Sequence, residues 1–270
     1  PYTTLFRSPH AVMPDGSLRD DVAVVIGDDG VIDRVLDADE VAGRDDVRRL
    51  PEGSVLSPGL IDLASFAGVW QANASTGDSI DPTPSVVDAF DPGAPGVRAA
   101  LEAGITALML APSMNGLVDG ACATVRTAPG RDGGHVLNPE CALAMTMGEP
   151  AFGTALGPFS RGGAMPLLRR TLSEAEERAA ADTRLGRVVR GELPVVALVS
   201  EPEDASAMLR LLGRHDVVPT LVHTVDAIDV AGEVGDRGAA MIVGPYAVDA
   251  ERRVLAGAAA LHEAGATVAF

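Results

Sequence analysis

"PVVALVSEPEDASAMLRLLG" (residues 194–213) decides the fold class. Its first seven residues are an aliphatic run without polar alternation, the pattern of a strand covered on both faces. The rest spaces its aliphatic residues as a helix does and stops at Gly213. The unit then repeats. "PTLVHT" starts at 219, "AMIVGP" at 240 and "ATVAF" at 266, and helical patterns such as "ERRVLAGAAALHEAG" (251–265) fill the gaps. Strands alternating with helices at this spacing predict parallel βαβ units. A (β/α)8 barrel is the leading architecture and a doubly wound open sheet the second. No G-x-G-x-x-G follows these strands, which weakens the nucleotide-binding form of the second.

Working upstream, "LSEAEERAAADTRLGRVVRG" (172–191) reads as one helix, with Ser173 and Glu176 at capping-box spacing and Gly191 as its stop. "PGVRAALEAGITALMLAPS" (95–113) reads as a short helix, a stop at Gly104 and a buried strand from Ile105 to Ala111. Residues 69–97 are rich in Pro, Gly, Asp and Ser, and are too long for an ordinary connection; such loops are functional or disordered. Residues 20–36 hold two β-rich runs around Asp29-Gly30, a hairpin turn signal. Residues 37–53 are charged and loop-like. The expected organisation is a small β-sandwich module over 9–56, then an incomplete TIM-like barrel over 57–270, cut before or within its last βα unit.

Composition narrows the function. The chain of 270 residues carries a net charge of −17 and 47% hydrophobic residues, but only 3% aromatics. Such an acidic surface repels nucleic acid and anionic membranes, so neither is an expected partner. All 21 basic residues are arginine, which points to a GC-rich bacterial genome. Cys122 and Cys141 make no disulfide framework and have no basic sequence neighbours to activate a thiolate. The opening "PYTTLFRS" is what a common sequencing adapter encodes, so residues 1–8 are expected to lie on the surface without tertiary contacts. The expected location is cytoplasmic, with an export signal left open, since an adapter-encoded start would imply that the true N-terminus is missing.

Several ordered segments resemble the amidohydrolase superfamily, especially its imidazolonepropionase-like branch. "DDGVIDRV" (28–35) followed by "VLSPGLIDLAS" (55–65) is similar to that family's hairpin and its V-x-PGLID-x-H-x-H first strand. "TPSVVDAFDP" (83–92), "AGITALMLAPSMNGLVDGACATVRT" (103–127), "MTMGEP" (145–150) and "GAAALHEAGATVAF" (257–270) follow in the family's order. The resemblance covers roughly residues 20–270. It implies a barrel that hydrolyses C–N bonds, of the cyclic-amide type, in small molecules. It also implies a divalent metal such as zinc, which activates a water and polarises a carbonyl.

Few of the implied ligands carry over. The first-strand histidine pair falls on Leu63 and Ser65, and the fifth-strand histidine falls near Leu198 or Val199. A carboxylated lysine is impossible in a chain without lysine. The eighth-strand aspartate would fall past Phe270. Only His223 matches a family ligand, that of the sixth strand, and one histidine does not make a zinc site. No cofactor is therefore expected. Ser65 has no base visibly paired with it. His10, His135, His215 and His262 are expected to be solvated.

Three readings follow: a metal-dependent amidohydrolase with lost or impaired catalysis, a non-catalytic barrel serving as partner subunit or small-molecule binding module, and a barrel using Glu149, Glu201 or His223 in metal-free acid–base chemistry. Homo- or hetero-oligomers are expected.

Overall fold

Asp29-Gly30 does turn the chain: Gly30 takes a φ of +84°, which a side chain would resist. The computed structural model describes residues 4–69, 77–153, 157–178, 181–222, 226–247 and 249–270. The turn joins β2 (Leu18–Ile26) to β3 (Ile32–Asp37) in an antiparallel pair. β1 (Thr4–Val12) runs antiparallel to β2, and β4 (Val47–Arg49) and β5 (Val55–Leu56) lie parallel to β1. The result is a five-stranded sheet of order β3-β2-β1-β4, with β5 also on β1. Alternation along β2 places Ala23 and Val25 in one apolar cluster, with Leu5, and Val22 and Val24 in another, with Ala11.

Two expectations fail in this unit. Thr4–Ser8 do not lie free on the surface. Leu5 is 1% exposed, Ser8 is buried, Arg7 pairs with Asp21 at 3.0 Å, and the Arg48 guanidinium sits over the Phe6 ring. A stretch with extended backbone and apolar residues at Leu5 and Phe6 pairs with β2 whatever its origin. The segment 37–53 is not all loop either, since it holds a 3-10 turn at Ala38–Val41 and the strand β4.

The chain divides into two compact units, Pro1–Leu60 with Arg131–Gly133, and Ile61–Gly130 with Gly134–Phe270. The second contains an eight-stranded sheet. β6 (Leu60–Ser65) starts it, α1 (Pro95–Glu102) leads into β7 (Ile105–Leu110), and β8 (Val118–Arg126) and β9 (Val136–Met147) follow without a helix between. α2 (Arg161–Glu177) and α3 (Arg184–Val189) precede β10 (Val195–Val199). Then come α4 (Pro202–Leu212), β11 (Thr220–Val222), α5 (Ala231–Asp236), β12 (Ala240–Ile242), α6 (Arg252–Glu263) and β13 (Thr267–Ala269). The sheet order is β13-β12-β11-β10-β9-β8-β7-β6, so β13 fills the eighth place. Side chains of β6 and β13 pack into one interior cluster, as the two ends of a nearly closed barrel do.

The barrel departs from the all-parallel expectation at one strand. β8 runs antiparallel to both β7 and β9, while β9 to β13 are parallel. The links on either side of β8 are too short for a parallel crossover, which takes a dozen residues or more. α1 covers part of β7, where Ala100 packs, but no crossover helix is available for β8, and the long loop does that work. Ile80 and Ser85 bridge to Val118 and Ala121, and Val86 is buried with Leu108, Leu110, Ala123 and Val125. The described part of the loop is thus a structural cover; residues 70–76 lie outside the described residues.

One helix boundary also differs from expectation. Ser173 lies inside α2, whose N-cap is Ser160, accepting from the Gly163 N–H; Thr183 caps α3 in the same way. A hydroxyl can cap only where the preceding backbone is extended. Ser160 and Thr183 meet that condition, and Ser173 does not.

Gly120 reports how closely the cover sits. Its φ is +96°, and a Cβ there would lie 2.4 Å from the Pro84 carbonyl oxygen. Gly120→Ala is expected to cost at least about 2 kcal/mol, from left-handed backbone strain and the clash together. Urea unfolding checks it: an unchanged midpoint would show that the cover is not seated on β8.

Candidate functional site

Strand alternation sorts the barrel's side chains into two layers. On β10, Val195, Ala197 and Val199 join the large cluster shared with the helices, while Val196 and Leu198 join the interior cluster. On β9, Leu143, Met145 and Met147 face the helices, and Ala142 and Ala144 face the interior. Leu63 from β6, Met109 from β7, Met114, Cys122 from β8, Val222 from β11 and Ile242 from β12 complete that interior. Leu63 and Leu198, the positions where the family resemblance implies histidines, are therefore packing residues in the lumen.

At the C-terminal rim the groups become polar. Thr146 is buried and pairs in register with Leu198. Its hydroxyl donates to the Asp119 carboxylate at 3.2 Å, and that carboxylate also accepts from the backbone N–H groups of Gly116 at 2.7 Å and Asn115 at 3.2 Å. Asp119 is only 7% exposed. Burial pushes its pKa up to about 6, against the three hydrogen bonds that favour the ionised form. Sequence reasoning missed this residue; the available signal was one acid interrupting the apolar run of "GLVDGACATV". With its acceptor positions engaged, Asp119 clamps the 115–116 turn to the end of β9.

The sequence-derived candidates stand at the ends of the strands or just beyond them. Glu201 is exposed and is the N-cap residue of α4, and its backbone N–H donates to Asp204 at 3.2 Å. Glu149 is exposed in a 3-10 turn, and its N–H donates to the Ser200 hydroxyl at 3.2 Å. That bond joins the loops after β9 and β10, so the two glutamates stand on neighbouring loops. His223 lies outside the described residues. Ser65 is buried, and its hydroxyl accepts from the Ala67 N–H at 3.3 Å, with no base among its partners. Burial pushes the Cys122 thiol up, helped by neighbouring Cys141 and Asp119, and burial also raises Cys141, so neither is an activated thiolate. The Tyr246 hydroxyl, beyond β12, is buried without a hydrogen-bond partner among the described residues.

The other histidines correct one expectation. His215 is not solvated: its side chain is 8% exposed and bonded to Glu176 at 3.0 Å. His10 stands in β1 beside Asp20, and His135 bonds the Arg126 carbonyl.

The residues present do not fit the implied divalent metal. Among the described residues no group of three or more His, Cys, Asp and Glu side chains could hold an ion. Of the positions where the resemblance implies ligands, Leu63 and Leu198 carry leucine, which offers no lone pair, and Ser65 carries a neutral hydroxyl that accepts from the Ala67 N–H. No helix among the described residues is long and apolar enough to cross a membrane.

No protein-family model matches the chain, and no curated protein matches its sequence. Solved structures do match. An amidohydrolase from Thermotoga maritima superposes with a TM-score of 0.76 at 16% identity, over 98% of this chain and 77% of that one. An uncharacterized protein matches with a TM-score of 0.54 at 13% identity, over 98% of this chain and 77% of that one. At such identities the likeness concerns the backbone alone, and what it shows is that this chain has the amidohydrolase fold, a barrel sheet with a separate small β module.

Proposed function

We propose that this protein is an amidohydrolase-fold barrel in which metal-dependent hydrolysis of C–N bonds has been lost, and that it serves as a binding module or partner subunit. The observation that carries the reading is the packing of Leu63 and Leu198 among lumen side chains, where metal-binding imidazoles would have to stand. A zinc centre takes three or four protein ligands. Substituting two of them by leucine removes the donors and the space for a water. The metal-free acid–base reading has less support, because Glu201 caps a helix and Asp119 spends its acceptors on a turn.

Metal content with activity tests this. The purified full chain, incubated with zinc, manganese or cobalt and desalted, is expected to retain well under one ion per chain and to leave cyclic amides and N-acyl substrates intact. About one tightly held ion, or metal-dependent turnover of any of these substrates, overturns the reading.

Asp119 gives a second expected outcome, since a clamp and a catalytic base behave differently. Its folded pKa of about 6 exceeds the ordinary 3.8, so the folded state holds the proton more tightly. Its contribution to stability is therefore full below pH 3.8 and is lost as pH rises through 6, on the order of 3 kcal/mol across that window. Asp119→Asn can keep all three hydrogen bonds, with the amide donating to Thr146. Urea midpoints from pH 4 to 7.5 are expected to fall more steeply for the wild type than for the variant, with the variant the more stable at pH 7.5. Equal slopes would show that Asp119 is not buried as an ion.

A further inference from the structure

A cavity of about 340 Å³ lies between α2 and α4, and four of its lining residues are Arg161, Arg169, Arg210 and Arg214. Among the described residues no carboxylate lines it. In a chain with 38 acidic residues against 21 basic ones, this runs opposite to the overall charge. Helical spacing creates it. Arg161, Met165 and Arg169 follow one another at four-residue steps on α2, and Ala207, Leu211 and the adjacent Arg210 and Arg214 do so on and just beyond α4.

The arginines are not spent on pairing with each other's neighbours. Arg161 is held by the carboxylate of Asp204, which is 2% exposed, through Nε at 2.6 Å. That bond fixes the guanidinium while leaving its Nη groups for another acceptor. Arg210 reaches Glu233 only at 3.9 Å. Arg169 and Arg214 have no ion-pair partner among the described residues. Four cations thus meet two carboxylates, both outside the lining. Like charges gathered in a groove repel one another unless an anion joins them.

We propose that this groove binds a phosphorylated small molecule. Guanidinium forks match the oxygens of a phosphoryl group, two at a time, better than an ammonium would. The cations extend about 12 Å along α2, from Arg161 to Arg169, which suits two linked phosphoryl groups better than one. Met165 and Leu211 give the organic part of such a ligand an apolar floor. The groove belongs to the helical layer, so the inference does not depend on the chemistry of the lumen.

Calorimetric titration of the full chain at constant ionic strength tests it, with pyrophosphate and inorganic phosphate as probes and citrate as the carboxylate control. Pyrophosphate is expected to bind saturably, and more tightly than either phosphate or citrate. Arg169→Gln with Arg214→Gln is expected to weaken it about tenfold or more, with the Tm of the unliganded protein unchanged. The two single variants read the same loss in smaller steps, so the test does not rest on one protein's folding. Arg98→Gln, on α1, is expected to leave binding intact. Absence of saturable binding, binding that survives the Arg169 and Arg214 variants, or citrate binding as tightly as pyrophosphate overturns the proposal.

Discussion

The interior of a closed sheet has to be filled by the side chains of its own strands, and that filling is the constraint on which this structure depends. Here Leu63, Met109, Leu198, Val222 and Ile242 supply the bulk, while Ala142 and Ala144 leave room opposite them. The same residues set the chemistry. Among the described residues the lumen brings no cluster of metal-ligating side chains together, and the buried oxygen-bearing groups stand at the rim. There Thr146, Asp119 and Ser65 are buried with hydrogen bonds to backbone or to each other, as buried polar groups require.

The outer surface of the sheet has to be covered as well, and the antiparallel β8 changes how. Without a crossover helix for β8, the 77–94 segment joins α1 in covering β7 and β8. Its prolines cannot donate backbone hydrogen bonds, which leaves carbonyls in need of partners. Arg184 supplies them, donating to the carbonyls of Pro82, Thr83 and Pro84 while also pairing with Glu140. Arg187 bonds the same carboxylate. Burial alone would raise the Glu140 pKa, but the two guanidiniums outweigh it and hold it below the usual carboxylate range. One charged cluster therefore joins the loop, β9 and α3.

Legibility followed the strength of the local pattern. β10 to β13 could be read because each is a pure aliphatic run followed by a helical period, and β2 and β3 because Asp29-Gly30 admits few conformations. β8 is not legible, because Gly116, Asp119 and Gly120 interrupt its apolar run; only the cover over Gly120 and the partners of Asp119 explain them. β1 was set aside on its coding resemblance, which has no bearing on whether Leu5 can be buried. For the site, the sequence was informative about what Leu63 and Leu198 cannot do. It was silent on Glu201 and Asp204, because a helix cap and a buried carboxylate look like any two acids near a strand end until the backbone is drawn.

Loss of a metal centre need not weaken such a barrel. A lumen built around an ion buries imidazoles and carboxylates that the ion itself satisfies, and without it each unpaired group would cost a few kcal/mol. Leucine at the same place contributes roughly 1.5–3 kcal/mol through burial and asks for no partner. On the proposed reading, Leu63 and Leu198 convert a site that depends on an ion into core that supports itself. The half-burial of both side chains sets the extent of that conversion: the lumen is packed below the rim, and at the rim the remaining surface is shaped by the loops that carry Ser200, Glu149 and Tyr246. Any ligand recognised at this end of the barrel would therefore meet apolar side chains at its base and hydroxyl and carboxylate groups at its edge, which is the surface the proposed binding role requires.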